Sequence, residues 1–101
     1  MFMLNIMKLI GKNILDNAGR IHADAKSQLE TWALETEEAE WQNPNDVKER
    51  YASVSFLGGG KTVFNIKGNR YRLFTLINYA GKLVLVKKFG THTEYSKWDL
   101  K

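Results

Sequence analysis

The apolar positions of the chain change their period once, near residue 53. Before that point they recur every three to four residues. Ile10, Ile14 and Ala18 share one helical face, and Gly19 is placed to stop that helix. Residues 2–7 read as a short strand or a lead-in to it. Ala25, Leu29, Trp32, Ala33 and Thr36 form the apolar stripe of a second helix, whose outer face carries acids. A third helix is announced by Asn43-Pro44-Asn45-Asp46. Asn43 can cap, Pro44 suits the first helical position, and Asp46 complements the positive helix start. Val47 and Tyr51 then face inward together. Trp32 and Trp41 are read as packing residues, and His22 as structural or exposed.

After residue 53 the period is two. Residues 53–57 and 61–67 read as strands separated by the turn Gly58-Gly59-Gly60. That turn lacks the strand-to-helix context and the Lys-Ser/Thr pair of a phosphate loop. Gly68-Asn69 signals a two-residue hairpin, and residues 70–79 form a long strand. Ala80-Gly81 is a second turn, residues 82–89 a further strand, and Gly90 ends the sheet. Residues 91–98 predict a short helix, with Thr91 as cap and Glu94 three residues on as the second half of a capping box. Helices followed by strands predict an α+β fold, and the absence of linkers and repeats predicts one domain over residues 1–101.

The two turns fix which side chains share a face. Gly68-Asn69 sets Lys67 opposite Arg70 and Asn65 opposite Arg72. Ala80-Gly81 sets Tyr79 opposite Lys82 and Phe74 opposite Lys87. One face then holds Phe64, Ile66, Tyr71, Leu73, Thr75, Ile77, Tyr79, Val84 and Val86, a surface for helices to cover. The other holds Asn65, Lys67, Arg70, Arg72 and Lys87, interleaved with Val63, Phe74, Leu76, Leu85 and Phe89. A slip of one residue would drive these cations into the core, which the cost of burying charge forbids. The basic face admits two readings. It is a nucleic-acid surface, with cations for phosphates and aromatics for bases, or a solvated sheet face whose lysines discourage edge pairing.

Composition narrows this picture. The chain has 101 residues, 44% of them hydrophobic, enough for one core. Its net charge of +4 is unevenly spread. Residues 24–49 carry eight acids against Lys26 and Lys48, whereas residues 61–88 carry seven cations and no acid. That acidic helical stretch reads as a solvated face or as a docking surface for a protein partner. With no cysteine and two distant histidines, neither a disulfide nor a metal site is expected, and no cofactor. Asn5, Lys8, Lys12 and Asn13 interrupt the apolar N-terminal stretch well short of the ~20 residues a membrane span needs. Neither a signal peptide nor a membrane partner is expected, and a soluble cytoplasmic protein is.

His92 follows the sheet directly, and Tyr95 lies three residues later on the same helix side. Cutting RNA without a metal needs a base for the 2′-hydroxyl, an acid for the leaving 5′-oxygen and cations for the phosphate. His92 could serve as base or acid, the roles that histidine chemistry suits. Tyr95 could position the 2′-hydroxyl or act as the acid, and Arg72 and Lys87 could clamp the phosphate. The plainer alternatives are a backbone-bonding histidine at a helix start and a packing tyrosine.

The stretch Val63-Phe64-Asn65-Ile66-Lys67-Gly68-Asn69-Arg70-Tyr71-Arg72-Leu73, then Lys87, then Gly90-Thr91-His92-Thr93-Glu94-Tyr95, resembles the HigB toxin family of type II toxin-antitoxin modules. Trp41-Gln42-Asn43-Pro44, followed by Asp46-Val47-Lys48 and Tyr51, is similar to that family's middle helix. The resemblance implies a RelE-like fold, a small twisted antiparallel sheet with N-terminal helices on one face and a short C-terminal helix. It implies ribosome-associated mRNA cleavage and neutralisation by a HigA-like helix-turn-helix antitoxin. The family-like positions are Asn65, Gly68, Asn69, Arg72, Thr91, His92 and Tyr95. At position 87 the family often has arginine; Lys87 keeps the charge and loses the bidentate fork. The expected site is therefore His92, Tyr95, Arg72 and Lys87 for catalysis, with Asn65, Lys67, Asn69 and Arg70 binding RNA. The alternative is a non-catalytic module that binds RNA or acts through a protein partner.

Overall fold

The apolar stripes of the first half become helices that cover one face of a sheet built from the second half. A computed structural model describes residues 6–100. A short strand β1 (Lys8–Ile10) leads into helix α1 (Lys12–Ile21). A single 3-10 turn then leads into α2 (Lys26–Glu38), followed by α3 (Pro44–Arg50). Strands β2 (Ser55–Gly58), β3 (Lys61–Ile66), β4 (Tyr71–Asn78) and β5 (Leu83–Thr91) come next, and α4 (His92–Tyr95) closes the order. The sheet order is β1-β5-β4-β3-β2. The result is an α+β, RelE-like architecture. Among the described residues, no helix is long and apolar enough to cross a membrane.

Most helix signals act as their chemistry dictates, although Ile10, expected on the face of the first helix, lies in β1 and is exposed. Asn43 Oδ1 accepts the Asp46 amide at 3.1 Å, and Pro44 opens α3. Leu29, Trp32 and Thr36 are the buried stripe of α2. Gly19, however, does not stop α1. It is buried inside the helix, where a Cβ would meet the Lys26 side chain at 3.1 Å, so it lets the chain fold back closely. The helix runs on to Ile21 and closes with the His22 amide on the Ala18 carbonyl at 2.8 Å.

Strands β2 to β5 are antiparallel, whereas β1 pairs with β5 in parallel, Lys8 facing Leu83 and Ile10 facing Leu85. The sheet is therefore mixed, because the chain enters beside its last strand and must cross over through all three helices to reach β2. Of the lead-in expected at 2–7, residues 2–5 lie outside the described part, and the strand itself begins at Lys8.

The helix-facing side of the sheet is the core. Leu15, Leu29, Trp32 and Val47 pack against Phe64, Ile66, Leu73, Val84 and Val86. Phe64 sits centrally, with the Trp32 ring at 5.2 Å, Tyr51 at 5.2 Å and Trp41 at 6.4 Å. Glu35 on α2 is held by Arg50 and by the Tyr51 hydroxyl, which ties α3 onto α2. The Arg50 guanidinium, then the Tyr51 hydroxyl, lower the Glu35 carboxyl, while burial and this carboxylate raise the tyrosine.

Register follows both turns and departs only at a bulge within β5. Asn65 faces Arg72, as the hairpin arithmetic requires. The strand stops at Ile66, because Lys67 (φ 55) and Gly68 (φ 63) turn left-handed. Beyond the second turn, Asn78 faces Leu83 and Thr75 faces Val86, but Phe74 then faces Lys88 rather than Lys87. A β-bulge at Lys87–Lys88 adds one residue to β5. The physical reason is visible in the core: Val86 and Phe89 both turn inward, and two exposed lysines separate them. Phe89 thus stacks on Tyr71 at 5.3 Å and meets His22 at 5.7 Å. It belongs to the helix side, not to the basic face.

Candidate active site

At one end of the uncovered sheet face, β4 presents Arg72 between Asn65 on β3 and Gly90 on β5. Its exposure is 8%, an unusual place for a guanidinium, and none of the ion pairs among the described residues includes it. Neutral groups hold it instead. Nη1 donates to the Asn69 carbonyl at 3.0 Å and to the Tyr71 carbonyl at 3.1 Å. Nη2 donates to Asn69 Oδ1 at 2.7 Å and to His92 Nδ1 at 3.1 Å. The Tyr95 ring lies under the guanidinium, with 5.6 Å from Cζ to the centroid. Four residues separated by up to 26 positions thus converge on one buried, unneutralised charge.

The short C-terminal helix owes its position to backbone chemistry. Thr91 Oγ1 accepts the Glu94 amide at 3.1 Å, and Glu94 Oε1 accepts the Thr91 amide at 2.8 Å, so both halves of the capping box form. The Thr91 amide, then the Thr91 hydroxyl, hold the Glu94 carboxyl below its ordinary range. The His92 amide donates to the Arg70 carbonyl at 3.0 Å and fastens the helix start to the β3–β4 turn. The His92 ring remains exposed and Tyr95 half-buried.

Trp98 completes this corner. Its ring meets Tyr95 edge-on at 5.6 Å, and Lys88 Nζ lies 5.5 Å from its centroid. A Cβ on Gly90 would approach Trp98 Cζ2 to 2.7 Å, so only glycine lets the tail lie this close to β5. Gly90→Ala is therefore expected to cost about 1–3 kcal/mol through forced repacking. The check is a denaturant melt together with the tryptophan emission of Trp98. An unchanged midpoint would show that the tail yields freely.

The remaining expected site residues divide by location. Lys87 is exposed, and no hydrogen bond, ion pair or ring contact engages it among the described residues. It sits at the bulge opposite Phe74, about 7 Å along the strands from the Arg72–Gly90 pair. Asn65 lies across from Arg72, and its Nδ2 reaches the Ser53 carbonyl at 3.4 Å. The Lys67 amide donates to Gln28 Oε1 on α2 at 2.7 Å, and its side chain is exposed. Arg70 turns to the helix layer, where Asp24 takes its Nη1 at 2.7 Å and the Tyr71 hydroxyl at 2.6 Å. The Tyr71 hydroxyl, then Arg70, hold the Asp24 carboxyl below its usual range. The structure therefore gathers Arg72, Asn69, His92 and Tyr95, keeps Asn65 and Lys87 at their border, and directs Arg70 away. Strand alternation misplaced Arg70 because that residue lies in the turn, outside the ladder. Sequence reasoning passed over Trp98 and Lys88. The Tyr95-to-Trp98 spacing of three on a capped turn is the signal that marks the first.

No curated protein matches the chain in sequence. A family model does, over residues 25–98, and its description is HigB_toxin, the RelE-like toxic component of a toxin-antitoxin system. The match spans the second helix, the hairpins and the whole Arg72–His92–Tyr95 corner. With most of its length inside that match, the chain belongs to the HigB toxin family and is the toxin of a toxin-antitoxin system.

Proposed function

We propose that the chain is an endoribonuclease that cuts mRNA on the ribosome, inhibits translation in the cytoplasm and uses its own side chains rather than a metal to handle protons and charge. A HigA-like helix-turn-helix antitoxin would hold it in check. One observation carries this reading: a buried arginine without a carboxylate partner among the described residues, set against His92 and Tyr95 at the end of a basic sheet face. An unneutralised buried charge is costly, and its field favours an anion at the mouth of this corner, here the scissile phosphate.

The chemistry is a transesterification. The 2′-oxygen attacks phosphorus while its proton passes to a base. The bond from phosphorus to the 5′-oxygen breaks, and that oxygen gains a proton from an acid. A 2′,3′-cyclic phosphate and a 5′-hydroxyl result. Lys87, exposed and without a partner among the described residues, is free to meet the phosphate, and the positive Arg72 corner stabilises the charge that grows on it. His92 and Tyr95 are the groups that handle protons or hydrogen bonds. Asn65 and Lys67 border the path of the RNA strand, whereas Asn69 is turned to the Arg72 guanidinium.

The test is to incubate the purified protein with mRNA alone and with mRNA-loaded ribosomes, and then to map the ends produced. Cuts that appear only with ribosomes, leaving 5′-hydroxyl ends, are the expected outcome. Cuts in naked RNA at the same rate would remove the ribosome from the reading. No cuts in either sample, with RNA still bound, would overturn the nuclease and leave a binding module.

A further inference from the structure

We infer that Arg72 is a positioning residue which fixes His92 as the tautomer protonated at Nε2, and that His92 therefore serves as a hydrogen-bond donor to the phosphate. The inference rests on the nuclease reading above for the identity of the acceptor, but not for the tautomer.

A guanidinium carries five N–H donors and no acceptor. Four of those of Arg72 are already committed inside the protein, to two backbone carbonyls, Asn69 Oδ1 and His92 Nδ1. Only the Nε hydrogen remains, so the side chain has no free fork for a bidentate grip on phosphate. The bond at 3.1 Å has a fixed direction: the arginine donates, and His92 Nδ1 must offer its lone pair. In the neutral ring the proton then sits on Nε2 of this exposed imidazole. A proton on Nδ1 would break that bond, and in the doubly protonated ring it would also set two cations side by side. The geometry thus favours a neutral donor over a histidine that collects the 2′-hydroxyl proton, and the base must be sought elsewhere in the site.

Asn69 braces the device. It takes Arg72 Nη2 through its side chain at 2.7 Å and Nη1 through its carbonyl at 3.0 Å. Without the side-chain bond the guanidinium can rotate, and the histidine loses the partner that selects its tautomer. Tyr95 beneath Arg72 sets the height of the plane and supplies an attractive face to the cation.

The experiment is long-range nitrogen–proton NMR of the His92 ring in the intact protein. His22 signals are assigned by the His22→Gln variant, and cleavage rates on ribosome-bound mRNA are measured in parallel. The parent should show Nδ1 as a bare acceptor nitrogen and Nε2 as the protonated one. Asn69→Ala, a change in an exposed turn, should shift the ring to a mixture of tautomers. It should also lower kcat by about tenfold with KM unchanged. Arg72→Lys, which keeps charge but not the fork, should do the same more strongly. A parent ring protonated at Nδ1 would overturn the inference. So would an unaltered tautomer in Asn69→Ala, or variants that raise KM and leave kcat alone, which is the mark of a phosphate clamp. If the parent cuts no RNA at all, the nuclease reading fails, while the NMR result still decides the tautomer.

Discussion

Replacing His92 with alanine is expected to slow RNA cleavage by about 10²–10³-fold, the usual loss when one donor to a developing oxyanion is removed. The same change is expected to leave the fold intact. Its ring is exposed and makes one hydrogen bond among the described residues, to Arg72, and water can replace that partner from the open side. The helix start does not depend on the imidazole. Thr91 and Glu94 cap it, and the amide of residue 92 keeps its bond to the Arg70 carbonyl whatever its side chain. Exposed substitutions of this kind usually stay within about 0.5 kcal/mol. Single-turnover cleavage of ribosome-bound mRNA and a thermal melt of the same preparation separate the two effects. A rate within about threefold of the parent would remove His92 from the site, since even a weak acid–base role is worth more than that. A collapse of the melting temperature would instead make the residue structural.

This separation of site from fold also explains which features the sequence made legible. The first hairpin was readable because a shift at Asn65–Arg72 would have buried a guanidinium among Phe64, Ile66 and Leu73. The capping signals at Asn43 and at Thr91–Glu94 were readable because they are local chemistry, complete within four residues. The bulge was not. Alternation carried back from Ala80-Gly81 has no means of seeing that Phe89 must join Tyr71 and His22 under the helices. An extra residue between Val86 and Phe89 satisfies that packing and puts both lysines outside, and only the packing reveals it. Gly19 misled for the same reason. A glycine that ends a helix and one that admits a neighbouring chain look alike until the neighbour is in place. In the candidate site, the residue types and their shared face were visible in the sequence. The roles of Arg72 and Asn69 were not, because the direction and number of hydrogen bonds depend on three-dimensional approach. Arg70 reads as an RNA-facing cation by strand pattern, yet the turn hands it to Asp24.

Phe64→Ala is expected to produce the largest loss of stability, about 3–5 kcal/mol. The ring is 1% exposed and touches the rings of Trp32, Trp41 and Tyr51, which come from α2, the loop before α3 and the end of α3. Its removal opens a cavity that these rigid neighbours can close only by moving whole helices. For a domain of this size each kcal/mol corresponds to roughly 4–8 °C, so the melting temperature should fall by about 12–40 °C. Phe64→Leu, which fills much of the same volume, should lose far less, and Phe56→Ala at the exposed sheet edge should change little. Calorimetry on the three variants tests the ranking, and equal losses at Phe56 and Phe64 would contradict the assignment of the core. The variant also tests how the core serves the site. Phe64 and Asn65 are neighbours on β3 with side chains on opposite faces, and Asn65 pairs with Arg72. Because backbone pairing rather than the Phe64 ring fixes that register, the folded fraction of Phe64→Ala should cut RNA at nearly the parental rate well below its melting temperature. A folded but inactive variant would instead mean that helix packing shapes the Arg72 corner directly.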